Sequence, residues 1–316
     1  MKIKPYTHDL EQQWNDFIKS SKNATFLHDR RYMDYHSDRF VDCSLLFFDR
    51  DKVVACLPAS YDAEHFVVTS HGGLTYGGLL VSYKTSTRSV LEIFNLLVQY
   101  YRNVLSAKQL IYKTIPYIYH SYPSDEDLYA LFRLNARLVG RGVSSAILLN
   151  DRLPFTESRK CCIRKARREN LVITETKDIC TFWLILSQVL KSRHNVSPVH
   201  SCEEIALLMN RFPDNIKLYA TYSKEGGMIA GAVLYITANT VHVQYMASND
   251  EGVTLGALDF LMENLITEVY SNSHYFDFGV STEQRGSYLN EGLIFQKEGF
   301  GGRAVCYDTY AIDLLG

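Results

Sequence analysis

Apolar positions in this chain follow two periods, and the places where one gives way to the other mark the elements. Asp9 to Ser20 sets Trp14, Phe17 and Ile18 on one side of a helix. Strand-like runs follow at Cys43 to Phe48, Val53 to Ala59 and His65 to Thr69, and then a glycine-rich loop, Ser70 to Gly78. Thr87 to Leu105 reads as a long helix and Gln109 to Lys113 as a strand. A short capped helix at Asp127 to Phe132 and strands near Ala136 to Val139 and Ser144 to Leu149 complete this half.

The remainder repeats that order. A basic helix, Glu157 to Asn170, leads to helices at Asp178 to Ser192 and Cys202 to Arg211. Three strands follow, Lys217 to Tyr222, Met228 to Thr237 and Val241 to Ser248, with Gly226-Gly227 and Asn239 as turns. A long helix over Leu255 to Tyr270, a strand at Tyr275 to Phe278, a helix over Tyr288 to Lys297 and a last strand pair, Ala304 to Leu314, close the chain. The pattern predicts an α+β protein of two tandem domains, residues 1–153 and 154–316, with the boundary near Pro154 and the basic helix opening the second.

Composition narrows the classes. The chain has 316 residues, 47% hydrophobic and 22% charged, which provides ample core for two ordinary domains. A net charge of −2 does not describe a general polyanion binder, so a phosphate or nucleic-acid contact must come from a local patch. The N-terminus has no apolar h-region and no run reaches the length of a spanning helix. Seven scattered cysteines without a C-x-x-C pair are expected to be reduced, as in a cytoplasmic protein, and no metal site is expected.

The local patch is the basic helix, where Arg159, Lys160, Arg164 and Lys165, with Arg167 and Arg168, stand against Glu169. Such a density suits phosphates, and equally suits an exposed solubilising helix packed on acidic neighbours. Lys297 closes its helix beside a glycine-rich turn, where an ammonium can hold an anion or simply cap the helix. The Ser70 to Gly78 loop, with His71 and Tyr76, lets backbone approach a ligand or makes a tight turn.

Phe295-Gln-Lys-Glu-Gly-Phe-Gly301, after Asp277-Phe-Gly279, resembles the F-x-K-x-G-F-G signature of the FemAB-like branch of the GNAT acyltransferase superfamily. The basic segment between the halves resembles one that such relatives carry. The resemblance implies two tandem GNAT-like domains, each a mixed, mostly antiparallel sheet flanked by helices. It implies a donor held between two splayed central strands, with its pyrophosphate at the start of the long helix. At that position, Asn249 to Ala257, only Gly256 fits the family's Q/R-x-x-G-x-G/A pattern, and Asp250 and Glu251 would repel a pyrophosphate.

The function implied is an N-acyltransferase that moves an acyl or aminoacyl group from an activated donor to a small-molecule or peptide amine by direct attack. Lys297 is then an oxyanion or donor-phosphate ligand, and His242 or Glu283 a general base. Gln244, Tyr245, Arg285, Tyr288, His71 and Tyr76 are expected substrate contacts; Arg159, Lys160, Arg164, Lys165 and Gly256 are expected phosphate contacts. On strand alternation His242 and Gln244 share a face and Tyr245 takes the other. Acyl-CoA is the implied co-substrate, with no tightly bound cofactor; aminoacyl-tRNA or acyl carrier protein are the other donors. The competing readings are a non-catalytic double-GNAT protein binding a nucleotide-linked or peptide ligand, and a nucleic-acid module built on Arg159 to Arg168, which lacks a second basic surface.

Overall fold

The period-2 runs become strands and most of the 3.6-period runs become helices in a computed structural model that describes residues 1–194 and 196–315, with backbone alone at 193 and 194. The chain divides into two units: Met1–Gly142 with Glu283–Tyr288 and Cys306–Gly316, and Val143–Thr282 with Leu289–Val305. Pro154 lies inside the second unit.

The first unit runs through β1 (Lys2–Pro5), α1 (Glu11–Ser20), α2 (Arg30–Met33), β2 (Val41–Asp42), β3 (Leu45–Asp49), β4 (Lys52–Leu57), β5 (Ser60–Asp62), β6 (Val67–Thr69), β7 (Leu80–Val81), α3 (Thr87–Leu105), β8 (Gln109–Lys113) and α4 (Glu126–Arg133). β1, β3, β4 and β7 pair antiparallel in that order. β2, β5, β6 and β8 are neighbours in a second sheet, with β6 parallel to β8. Val90, Ile93, Phe94, Leu97 and Tyr101 recur at three- and four-residue spacing on α3, so one side of it buries against Leu45, Phe47, Leu57 and Leu110. Ser86 caps the start of α3 by accepting from the Ser89 N–H.

The chain continues through β9 (Arg137–Leu148), α5 (Glu157–Arg168), β10 (Val172–Thr176), α6 (Ile179–His194), α7 (Cys202–Arg211), β11 (Ile216–Tyr222), β12 (Met228–Ile236), β13 (Thr240–Ser248), α8 (Asp250–Leu255), α9 (Ala257–Asn264), β14 (Tyr275–Val280), β15 (Thr282–Glu283), β16 (Tyr288–Leu289), α10 (Glu291–Gly299) and β17 (Arg303–Asp313). The end of β17, Thr309 to Asp313, pairs with β8 in the first unit. In the second unit the strand order is β10-β11-β12-β13-β14-β9, antiparallel except between β13 and β14.

Alternation on β12 divides the faces of that sheet. Ala232 and Leu234, with Val241, Val243, Phe276 and Phe278, bury against Leu261 and Met262 of α9 and Leu265 and Ile266 beyond it. Gly231 faces α6 instead: a Cβ there would lie 2.6 Å from the Phe182 ring, so glycine is what lets α6 approach.

Several elements differ from the sequence pattern for physical reasons. The long helix expected over Leu255 to Tyr270 starts at Ala257, because Gly256 takes φ 74° and ends the short α8 ahead of it. Its far end is a π-helical turn, Leu265–Val269. The helix expected from Tyr288 starts at Glu291, because Asn290 caps it by accepting from the Leu293 N–H, while β15 and β16 pair as a two-stranded ribbon ahead of it. The strands expected at Ala136 to Val139 and Ser144 to Leu149 are one strand, β9, and the last strand pair is the single strand β17. β10 carries no strong apolar alternation and was not expected.

A side chain at Gly256 would meet the Cys162 carbonyl oxygen at 2.5 Å, where α5 packs on the α8–α9 junction. Gly256→Ala is expected to lose about 2 kcal/mol or more of stability, from the left-handed backbone and the clash together. Urea unfolding checks this; an unchanged midpoint would show that the junction relaxes freely.

Candidate functional site

The central feature of the second unit is a strand pair that starts and then stops. β13 and β14 pair over Thr240–Tyr275, Val241–Phe276 and His242–Asp277 only, although β13 runs on to Ser248 and β14 to Val280. Both strands change course at that point. β13 carries an extra residue at Gln244, since Leu234 pairs with Val243 but Val233 pairs with Tyr245. The pairing of β14 with β9 shifts register between Asp277 and Val280, where Gly279 takes φ 75°. A bulge bends and twists its strand, so two bulges on facing strands open a gap.

Lys297, near the end of α10, closes the backbone accounting at the gap. The carbonyls of Gly279 and Val280 lie where the β13 ladder has stopped, and Lys297 Nζ donates to both, at 2.8 and 2.9 Å. An ammonium has three protons, so one N–H is left after these bonds. The side chain is only 3% exposed. Burial pulls its pKa down to about 8, against the pull of Asp277, which favours the charged form.

Asp277 itself is fully buried and saturated with donors. Ser144 Oγ and the Gly279 N–H donate to Oδ1, and Oδ2 lies 2.9 Å from His242 Nδ1. The carboxylate therefore fixes the His242 ring at the last rung of the β13–β14 ladder, and a Cβ on Gly279 would sit 3.2 Å from His242 Cε1. Behind the turn, Phe300 stacks on Phe278 at 5.6 Å between ring centroids, and Arg159 lies over the Phe300 ring at 5.7 Å.

The gap opens into a cavity of about 710 Å3, a size that suits a small ligand. Leu186, Val189 and Leu190 of α6 line one side, Val253 of α8 and Leu258 of α9 the other, and Gln244, Tyr245 and Lys297 lie between. The bulge moves Tyr245 away from its expected face: it meets Trp183 edge-on at 5.1 Å and its hydroxyl lies 2.6 Å from His200 Nδ1, both on the α6 side. His242 also faces away from the α9 core, so Tyr245 and His242 share a side, and strict alternation fails at Gln244. Burial raises the Tyr245 hydroxyl pKa, so it stays protonated at neutral pH. Gln244 Oε1 is buried and has no hydrogen-bond partner. A buried acceptor left unpaired costs about 1–3 kcal/mol, which makes it a natural point for a ligand N–H.

The basic helix is largely neutralised from within the unit. Arg159 pairs with Asp259 of α9 at 2.6 Å in a largely buried bond; burial raises the carboxyl pKa and Arg159 offsets part of that rise. Arg167 donates to both oxygens of Glu263, Lys160 pairs with Glu157 at 2.9 Å, and Arg164 lies 3.8 Å from Glu157. Lys165 is exposed. Ile163 and Ala166 provide the buried side of the helix.

The expected pyrophosphate position does not fit that group. The Gly252 N–H is already taken by the Asn249 side chain at 2.8 Å, and Asp250 and Glu251 fill the first turn of a helix that ends at Leu255. The two acidic side chains in that turn oppose an anion.

Five expected site residues lie in the first unit. His71 is buried against His36 and Phe40 with φ 55°, and burial drives its pKa down to about 3, so it is neutral. Tyr76 is buried, with its hydroxyl 3.3 Å from Thr25 Oγ1 and its ring tilted on Tyr119. Glu283, Arg285 and Tyr288 are exposed around the β15–β16 turn. The second unit brings Lys297, Gln244, Tyr245 and Arg159 into one cavity wall, with His242 beside it and Gly256 behind α5. His200, Trp183 and Asp259 were not singled out in the sequence; only Asp259, one helical turn beyond Gly256 and opposite a run of arginines, left any trace there.

The sequence matches the Acetyltransferase (GNAT) domain family over residues 158–286. Among solved structures, FemX is similar over 99% of this chain and 97% of its own, at 11% identity and a TM-score of 0.69. L-PGS from Bacillus licheniformis is similar over 96% and 92%, at 12% identity and a TM-score of 0.62. A tandem GNAT protein from the clavulanic acid biosynthesis pathway is similar over 100% and 99%, at 10% identity and a TM-score of 0.51. No curated protein matches the sequence significantly. The chain has a mixed αβ fold like that of these structures, a tandem GNAT protein among them, and its residues 158–286 carry the GNAT-domain match. Among the described residues no helix is long and apolar enough to cross a membrane, and no group of three or more His, Cys, Asp or Glu could hold a metal ion.

Because Lys297 satisfies two strand-end carbonyls, Lys297→Met is expected to cost on the order of 2 kcal/mol in urea unfolding. A midpoint equal to that of the natural chain would mean that the ammonium does not hold the end of β14.

Proposed function

From this fold we propose that the chain is an N-acyltransferase, carrying an acyl group from an activated ester or thioester to an amine by direct attack. The observation that carries the reading is the cavity at the β13–β14 gap, with a buried ammonium and an unpartnered carboxamide oxygen in one wall. The GNAT match over residues 158–286 supports it, since it covers β13 and β14 themselves.

The chemistry follows from those groups. A neutral amine attacks the donor carbonyl carbon, the C–N bond forms, and negative charge develops on the carbonyl oxygen. The remaining N–H of Lys297 and its charge stabilise that oxygen, and they act strongly because the side chain is buried. Gln244 Oε1 accepts an N–H of the attacking amine and so orients it. The carrier then leaves with the C–O or C–S electron pair, and the ammonium formed must lose a proton. In this reading His242 takes it, with Asp277 holding Nδ1 and fixing the ring. Since the start of α8 does not fit a pyrophosphate, no step is assigned to CoA, and carrier protein or aminoacyl-tRNA donors remain within the same chemistry. If a folded chain binds acyl compounds in this cavity and transfers nothing from any donor class, the binding-protein reading takes its place.

The pH dependence has a definite sign. A Lys297 pKa of about 8 means that the stabilising charge is present below that pH and lost above it. Attack itself needs a neutral amine and improves as pH rises. The kcat/KM profile is therefore expected to be bell-shaped, with a falling limb near pH 8, and Lys297→Met is expected to lower kcat by about a hundredfold. Stopped-time product assays by mass spectrometry over pH 6 to 10 check this. A rate that climbs steadily to pH 10 would remove the Lys297 charge from the mechanism.

A further inference from the structure

Within the N-acyltransferase reading, the cavity also discriminates between kinds of acyl group. Among its described residues the charged ones are Arg159, Asp259 and Lys297. Asp259 is already committed to Arg159 at 2.6 Å, and Asp277, whose charge acts on Lys297, is taken up by its own donors and does not line the cavity, so the wall offers no free carboxylate. An aminoacyl group brings an α-ammonium with it. In this cavity that ammonium would stand near the buried Lys297 ammonium with no carboxylate of the wall free to pair with it, and Gln244 Oε1 could offer it a hydrogen bond but no charge. A plain alkyl acyl group brings no such burden.

The walls point the same way. Leu186, Val189 and Leu190 present one aliphatic side from consecutive turns of α6, and Val253 and Leu258 present another. Val199, beside the α6 side, is 79% exposed, so the aliphatic surface continues outward from the cavity. At the gap a carbonyl would meet Lys297 and an N–H would meet Gln244, while Ser197, Ser248 and Gln296 are further polar residues of the lining. This is the layout for a molecule with one polar amide-like centre and a hydrocarbon tail.

We infer that the cavity binds an aliphatic acyl chain, with the chain along Leu186, Val189 and Leu190 and the carbonyl at Lys297, and that it disfavours an aminoacyl group. The occupant is the alkyl part of the donor and of the amide product.

Product mimics test this without any need for turnover. The natural chain is titrated calorimetrically with N-methylalkanamides from acetamide to decanamide, and with 2-amino-N-methyloctanamide, which adds only the α-ammonium. Affinity is expected to rise about three- to fourfold per methylene until the cavity is filled, and the α-ammonium to weaken binding at least tenfold. Val189→Phe, or Leu190→Phe if that variant melts early, should reverse the gain for the longest chains while sparing the shortest. A flat chain-length series would overturn the inference, as would equal or tighter binding of the amino compound. A slope that persists unchanged in a folded cavity variant would place the chains elsewhere and overturn it too. Transfer activity with an aminoacyl donor, together with a flat alkanamide series, would keep the acyltransferase reading and sink this one.

Discussion

Two parallel strands that stop pairing halfway leave backbone polar groups with no ladder to join, and a buried carbonyl without a donor is costly. In the second unit, the resolution of that problem is a single side chain. Lys297 reaches from the end of α10 to the carbonyls of Gly279 and Val280, just past the last β13–β14 rung. Asp277, itself in that last rung, does the complementary work, accepting from Ser144 and Gly279 and holding His242. The gap is thus a satisfied structure with its own hydrogen bonds, and the cavity, the position of Gln244 and the exposure of an ammonium to a ligand all depend on it.

The basic helix shows how a charge pattern can mislead when read alone. Its arginines looked available for phosphate, yet two of them are bonded to acids of α9, and Cys162 on the same helix presses its carbonyl against Gly256. The glycine that matched a phosphate-loop pattern has a packing reason to be glycine. With Arg159 tied to Asp259, the charged group of the lining left to meet a ligand is Lys297, itself opposed by the buried Asp277, although a helix with six basic residues forms part of the wall.

Much of the fold was legible because burial imposes its period on the sequence. The amphipathic spacing on α3 and the apolar run of β12 are direct consequences of packing on one face and on both. What was not legible came from local backbone events. A bulge adds one residue and leaves no apolar signature, so alternation put Tyr245 on the wrong side of Gln244. Gly256 was read as a phosphate-loop glycine at the start of the long helix, but its left-handed φ separates α8 from α9. The ribbon at β15–β16 replaced the first residues of the expected helix, and Asn290, accepting from the Leu293 N–H, sets the start of α10. Lys297 was legible as a candidate through its glycine-rich surroundings and its motif, whereas the His200–Tyr245 hydrogen bond joins residues 45 positions apart and follows only from the fold.

The structural and chemical roles of Lys297 are one property seen twice. Its two bonds to strand-end carbonyls place the ammonium at the gap, and the burial that makes those bonds strong also lowers its pKa towards neutrality. An exposed lysine would keep its charge over a wider pH range but would be screened by water and weak at an oxyanion. A fully enclosed one would lose its proton or its access to substrate. At 3% exposure, with one N–H left over and aliphatic walls around it, Lys297 lies between these limits. The hydrocarbon lining that fits an alkyl chain is therefore also what gives the ammonium its strength, so the choice of acyl group and the stabilisation of its transition state rest on the same dry wall.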